Sequence, residues 1–266
     1  MITDPGSSRV KAVARLTQKD ARQETGLFLL EGPQGLKELI RYPEIVHEIF
    51  VTESAQDRYG IELEQLRSSG CHLELVAERV MEKLAETQTP QGVVAVVHQL
   101  HVELDDLLET KPQLLALLDR VQDPGNAGTI LRASDAAGAD GVLFSAESVD
   151  VYNGKVVRST AGSLLHVPVA LSLDLEKTIP ILRQAGMQVF VADGGGTPIT
   201  QLEPQVLAKP TAWVFGNEAG GVNQELSLLA DQVVSIPIYG SAESLNLATA
   251  ASICLYTSAF AQQASR

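Results

Sequence analysis

Short apolar runs and polar, helix-compatible stretches alternate along most of this chain. In the first hundred residues the runs at 27–30, 45–52, 73–76 and 92–98 read as strands. Residues 9–25 predict one basic helix, 34–41 a helix ending before Pro43, 61–69 a helix that Gly70 can close, and 78–85 a further helix. Glu31-Gly32-Pro33 reads as a turn. Together these elements make an α/β unit of ordinary domain size, assigned to residues 1–100.

Residues 101–113 mix acidic and apolar side chains and end at Lys111-Pro112, which marks a linker with room for a helical turn at 104–108. A second rhythm starts at Leu114. Apolar runs at 114–118, 141–144, 167–170, 187–191, 212–215 and 233–236 alternate with helical stretches at 129–137, 175–185, 224–230 and 248–261. Strands alternating with helices imply a mainly parallel sheet covered on both faces, here across residues 114–266.

Composition changes this picture little. The chain has 266 residues, 45% of them hydrophobic, and no apolar stretch approaches a membrane span. Its first residues, Met1-Ile2-Thr3-Asp4-Pro5-Gly6, do not read as a signal peptide, and the expected location is the cytoplasm. Cys71 and Cys254 are expected to be reduced core residues, and no metal-ligand spacing is seen.

Charge changes it more. The formal net charge of −13 argues against a simple electrostatic nucleic-acid binder. The distribution is uneven: +2 over residues 1–41, −10 over 42–110 and −5 over 111–266. Lys11, Arg15, Lys19 and Arg22 are spaced by three and four, which suits one face of one helix. A second basic, acid-free stretch at 151–166 holds Lys155 and Arg158. On charge alone, both stretches read as ordinary solvated faces.

Three glycine-bearing islands carry the candidate chemistry. Each follows an apolar run and enters a helical stretch. The first is Asp123-Pro124-Gly125-Asn126-Ala127-Gly128-Thr129-Ile130-Leu131-Arg132. Its start is a turn, Asn126 or Thr129 can cap the helix, and Arg132 is expected within the first turn, where a phosphate could bind. The second is Gly216-Asn217-Glu218-Ala219-Gly220-Gly221, which has neither the P-loop lysine nor dinucleotide-fingerprint spacing. Glu218 could serve there as a base, an anchor for a cation or a cap. The third runs from Ile236-Pro237 to Ser244-Leu245-Asn246 and leads into a helix of small residues. Taken singly, all three are turns and caps. Asp193-Gly194-Gly195-Gly196-Thr197-Pro198 is assigned to a flexible loop without chemistry.

In order, the islands resemble the signature of the SpoU, or TrmH, family of ribose 2′-O-methyltransferases in the SPOUT class. Asn126, Gly128 and Arg132 match the first motif; Gly216, Glu218 and Gly221 the second; Ile236, Pro237, Ser244, Leu245 and Asn246 the third. The segment Arg158-Ser159-Thr160-Ala161-Gly162-Ser163 also resembles the family, and Phe28-Leu29-Leu30-Glu31-Gly32 resembles its small substrate-binding domain.

The resemblance implies a trefoil-knotted, mainly parallel α/β domain preceded by a ribosomal-protein-L30e-like α/β domain. It implies a homodimer that binds S-adenosylmethionine and methylates a ribose 2′-hydroxyl of RNA, above all 23S ribosomal RNA. Gly216, Ile236 and Leu245 match cofactor-holding positions, and Arg132, Asn126, Glu218, Ser244 and Asn246 match catalytic ones. An arginine, with a pKa above about 12, suits a phosphate clamp and alkoxide stabiliser better than a base. The RNA footprint would then combine Lys11, Arg15, Lys19, Arg22, Lys155 and Arg158, with salt-sensitive binding. Competing expectations are a transfer-RNA or thiopeptide-resistance-type methyltransferase, and an RNA-binding homologue without catalysis.

Overall fold

The computed structural model describes residues 1–265. The chain divides into two compact units: Met1–Gln99 with Asp150–Leu165, and Leu100–Val149 with the remainder from His166. The segment 150–165 therefore packs with the N-terminal unit, whereas the sequence reading put it inside the 114–266 domain.

The first unit holds a four-stranded sheet of β1 (Leu27–Glu31), β2 (Val46–Val51), β3 (Leu73–Leu75) and β4 (Val93–His98), in the order β1-β4-β2-β3. β4 runs antiparallel to β1 and β2, and β2 runs parallel to β3. The run Val-Val-Ala-Val-Val of β4 is buried throughout, as a central strand requires. Val10, Val13, Leu16 and Ala21 pack with Leu29, Phe50, Val80 and Met81 in one core.

The single helix expected at 9–25 is two helices, Ser8–Ala14 and Lys19–Thr25, joined by the 3₁₀ turn Arg15–Thr17 and extended backbone at Gln18. Competing hydrogen bonds explain the break. Thr17 Oγ1 donates to the Ala14 carbonyl, and the Arg22 guanidinium takes the Leu16 carbonyl at 2.8 Å. Lys11, Arg15, Lys19 and Arg22 therefore do not share one helix face. A helix at Gly154–Thr160 was not foreseen.

The second unit holds six parallel strands: β5 (Leu114–Leu118), β6 (Gly141–Ser145), β7 (Val169–Leu173), β8 (Gln188–Pro198), β9 (Thr211–Phe215) and β10 (Gln232–Ser235). Their order is β10-β8-β9-β5-β6-β7. The central β5 is buried at every residue. Alternate side chains face opposite layers. Leu115 and Leu117 join a core with Leu175, Ile179 and Leu182 of the helix Leu175–Gln184. On the other face, buried Trp213 donates from Nε1 to Ser258 of the helix Leu247–Ala264 at 2.9 Å. The expected linker contains a helix, Leu104–Glu109, whose Leu107 is buried in this unit's core. Among the described residues no helix is long and apolar enough to cross a membrane.

The glycine-rich run after Asp193 is not a loop: it continues β8 to Pro198. Gly196 is required there, since a Cβ would lie 2.4 Å from the Val233 backbone of the paired β10. Strand order reverses between β5 and β9, because the chain builds β6 and β7 on one side of β5 and places β9 on the other. In open parallel sheets a crevice forms beyond the strand ends at such a point.

Candidate active site

A cleft of about 540 Å³ opens near the C-terminal ends of β8, β9 and β10. All three islands reach it, with Asn126 from the first, Asn217, Glu218 and Gly221 from the second, and Ile236, Ser244, Leu245 and Asn246 from the third.

The first island differs from its expected form in two ways. Asp123, not Asn126 or Thr129, caps the helix Pro124–Ala137, accepting from the Asn126 amide at 2.7 Å. That leaves the Asn126 side chain available to the cleft. Arg132 then lies well inside the helix, not in its first turn, so it is away from the exposed amides. It is exposed, is not part of the cleft wall, and makes no hydrogen bond or ion pair among the described residues.

Asn246 caps the helix Leu247–Ala264, its Oδ1 accepting from the amides of Ala248 at 2.9 Å and Thr249 at 3.2 Å. Its Nδ2 donates to Asn126 Oδ1 at 2.9 Å, and Asn126 Nδ2 donates to Glu218 Oε1 at 3.1 Å. The Glu218 carboxylate also accepts from the amides of Asp123 at 3.1 Å and Gln122 at 3.3 Å. One line of hydrogen bonds thus joins the three islands. Partial burial pushes the Glu218 carboxyl up, but the bonds from Asn126, its own amide, Asp123 and Gln122 outweigh it and hold the group below its ordinary range. A carboxylate so satisfied is a poor proton acceptor and a good fixed anchor.

Ile236 and Leu245 form apolar wall, and Ser244 is exposed at the rim without a hydrogen bond among the described residues. Gly216 is not on the wall. It is buried beneath it, and a Cβ there would lie 2.1 Å from the backbone of Gly221. Its glycine is needed to let the turn fold onto β9, and Asn217 takes its place in the cleft.

Sequence reasoning missed Asp193, Gly194, Ile238 and Glu243, which also line the cleft. Asp193 and Gly194 could have been found, because they too are an acidic residue and a glycine run at the end of an apolar strand. Asp193, Glu218 and Glu243 give the cleft an anionic rim.

The six candidate RNA-binding cations all belong to the first unit. Lys11, Arg15, Lys19 and Lys155 are exposed, Arg15 with distant acidic neighbours at 3.7 and 3.8 Å. Arg22 is a correction. Its side chain is 3% exposed, and Nη2 and Nε both donate to Asp150 Oδ2, at 2.6 and 3.1 Å. It is a structural ion pair and cannot meet a phosphate. Arg158 is held 3.2 Å from Glu86 and 3.6 Å from Glu31. Cys254 is buried, which pushes its thiol up to about 12, while Cys71 is only half-buried.

Residues 113–256 match the model of the SpoU rRNA Methylase family, and residues 7–95 match the MRM3-like substrate binding domain. The chain is 36% identical to the Bacillus subtilis 23S rRNA (guanosine(2553)-2′-O)-methyltransferase RlmP, over 94% of this chain and 95% of that protein. Among solved structures it is similar to the AdoMet-bound rRNA methyltransferase from Sinorhizobium meliloti, with a TM-score of 0.84 and 31% identity over 97% and 96% of the two chains. It is equally similar in fold to the AdoMet complex of the SpoU methyltransferase AviRb from Streptomyces viridochromogenes, with a TM-score of 0.84 and 29% identity over 97% and 99%.

Proposed function

We propose that this chain, which belongs to the SpoU rRNA methylase family, methylates a ribose 2′-hydroxyl of 23S ribosomal RNA with S-adenosylmethionine as donor. The hydrogen-bonded line Asn246–Asn126–Glu218 carries this reading, because it ties the three motif-bearing segments into one cleft wall. The names of the similar proteins support the chemistry and the RNA class.

The cleft suits the donor. Val234, Ile236, Ile238 and Leu245 offer apolar wall, and a side chain built on Gly194 would project into open space. The volume lies in the range of small-molecule sites, on the order of 300–1,000 Å³. An anionic rim favours a cationic ligand. Ile236, Leu245 and the backbone around Gly194 and Gly221 would hold it. When bound, S-adenosylmethionine supplies a methyl group on a positively charged sulfur, an activated electrophile.

The chain's own part is alignment. Asn246 and Asn126 fix Glu218, and Glu218 fixes the 122–123 turn through both amides. Such preorganisation can supply several kcal/mol of a barrier, roughly 7–11 at best. Ser244, exposed at the rim of the cleft, would meet the incoming ribose. Arg132 holds the phosphate beside the target ribose and stabilises the developing alkoxide.

Arg132 lies outside the cleft wall, and a homodimer accounts for that. Thr129, Arg132 and Ala136 form an exposed stripe on the helix Pro124–Ala137, and Tyr256 donates to the Ala136 carbonyl at 3.1 Å. Beside Tyr256 stands Phe260, a large apolar side chain 69% exposed. A second copy covering this face would bring Arg132 into an interface. The trefoil knot belongs to the same reading. Ile236, Ile238, Glu243, Ser244, Leu245 and Asn246 line one cleft with Asp193, Gly194 and the 217–221 turn, the segments that such a knot would bring together.

The N-terminal unit is the RNA-recognising part in this reading, which the substrate-binding-domain match over residues 7–95 supports. That match favours ribosomal RNA over transfer RNA, and the intact Asn126–Glu218–Asn246 line speaks against a homologue without catalysis. The test is a map of 2′-O-methyl groups in total RNA with and without the gene. One 23S position should lose its methyl group. A loss confined to transfer RNA would overturn the substrate, and no loss anywhere would overturn the activity.

A further inference from the structure

Directly beneath the cleft lies a feature that none of the islands contains. Asp119 and Arg120 follow β5, and each holds one end of the turn that carries Glu218 and Gly221. The Arg120 carbonyl accepts from Asn217 Nδ2 at 2.8 Å, and the Asp119 carboxylate accepts from the Asn223 amide at 3.1 Å. Between these points the turn closes on itself, with Asn217 and Gly221 exchanging both backbone hydrogen bonds at 2.9 Å. Asn217 Oδ1 further accepts from the amides of Ala219 and Gly220.

The pair is built for this. Asp119 is 4% exposed, a burial that a carboxylate tolerates only when satisfied. Arg120 grips it in fork geometry, Nε to Oδ1 at 3.1 Å and Nη2 to Oδ2 at 3.0 Å. Arg120 also sits at φ +51°, a left-handed conformation that is unfavourable for a non-glycine residue and persists only where its surroundings enforce it. That conformation lets one residue aim its carbonyl at Asn217 and send its amide to Ser145 Oγ at 2.8 Å. Ser145 is joined to Ser148, whose hydroxyl donates to the Leu118 carbonyl. The turn is thus referenced to the rigid centre of the sheet rather than to its own flanks.

We propose that Asp119 and Arg120 are positioning residues that staple the 217–223 turn at both ends into the shape that receives the methyl donor. This rests on the cofactor reading above, and two readouts separate the two. The first is hydrogen exchange of the free full-length protein. Asp119→Ala should speed exchange at residues 217–223 at least tenfold and leave β5 and β9 protected. The second is calorimetry with S-adenosylmethionine. Asp119→Ala should weaken binding on the order of 30-fold, with Asp119→Asn recovering part of the loss because its amide oxygen can still accept from Asn223.

Arg120 supplies an independent pair of variants. Valine is strongly disfavoured at positive φ, whereas glycine adopts it freely. Arg120→Val should weaken donor binding roughly tenfold and Arg120→Gly only about threefold, since glycine keeps the carbonyl in place. Equal losses in the two would overturn the role of the carbonyl. Uniformly faster exchange throughout the second unit in Asp119→Ala would overturn the staple and leave a general stabilising role. If the unaltered protein fails to bind S-adenosylmethionine, the cofactor reading falls, and the exchange pattern alone decides the staple.

Discussion

The cleft of the second unit and the charged framework of the first both bring together polar side chains from distant parts of the chain, and they do so to opposite ends. In the cleft, Asn126, Glu218 and Asn246 are joined in a line that remains open to a ligand along one side. In the first unit, cations are consumed. Arg9 is taken by Glu48 at 2.6 Å and Glu74 at 3.1 Å, Arg158 by Glu86 and Glu31, and Arg22 by Asp150. The acidic stretch 42–110 supplies several of these carboxylates. Its charge of −10 is therefore not simply a solvated face: Glu48, Glu74 and Glu86 are spent inside the unit on Arg9 and Arg158, while Arg22 is taken by Asp150 from outside that stretch.

The sharpest way to break this contrast is Arg22→Ala. It strips the half-buried Asp150 carboxylate and the Leu16 carbonyl of their charged donor, which costs about 3 kcal/mol. Urea denaturation should report a loss of that size in the first unit, and a smaller loss when the same change is made in an Asp150→Ala background, where no orphaned charge remains. A loss below about 1 kcal/mol would mean that Arg22 is not structural and could be returned to the RNA footprint.

On the cleft side, Asn126→Ala severs both links of the line without emptying a core. Methyl incorporation should fall roughly 100-fold, equivalent to about 2.7 kcal/mol of barrier, while the melting temperature hardly moves. A comparable drop in stability would place Asn126 with Arg22 as a framework residue, and the contrast would collapse.

How far each region was legible follows from the same physics. The strands of the second unit and the membership of the cleft could be read, because a parallel strand must be a buried apolar run and a strand-end turn needs its glycine and cap residues locally. Asn126 and Asn246 stood out for that reason, although the cap role went to Asp123 and not to Asn126. The Gly194–Gly196 segment was misread because glycine in a strand looks like a loop until its neighbour is known; the backbone of β10 is what makes Gly196 necessary. The cation footprint was the least legible. Spacing fixes which helix face a charge occupies, but not whether Asp150, distant in sequence, will neutralise it. Nor could periodicity foresee the break at Gln18, which depends on the Arg22 guanidinium reaching the Leu16 carbonyl.

A smaller effect tests whether Glu218 anchors or titrates. Its folded value lies below its ordinary 4.5, so the stabilisation it contributes is complete above 4.5 and is lost as pH falls through the lowered folded value. Carbon-13 titration of the side-chain carboxyl should give a midpoint below 4.5, and the methylation rate between pH 6 and 9 should show no step that vanishes in Glu218→Gln. A midpoint between 6 and 7 would make Glu218 the general base and remove its likeness to the satisfied carboxylates of the first unit.

The smallest effect discriminates between cations within the first unit itself. Lys155 and Arg158 stand three residues apart on the helix Gly154–Thr160, yet only Lys155 is without a carboxylate partner among the described residues. A cation that meets a phosphate releases about one counterion, so its removal flattens the plot of log affinity against log salt by about 0.7–0.9. Lys155→Ala should do this on ribosomal RNA fragments, a change of roughly threefold in affinity between 50 and 200 mM salt. Arg158→Ala should leave the slope nearly where it was, because Glu31 and Glu86 already hold its charge. If Arg158→Ala flattens the slope as much as Lys155→Ala, RNA must draw the guanidinium away from both carboxylates on binding. The paired cations of the first unit would then be a reserve for the substrate, and its framework would resemble the cleft after all.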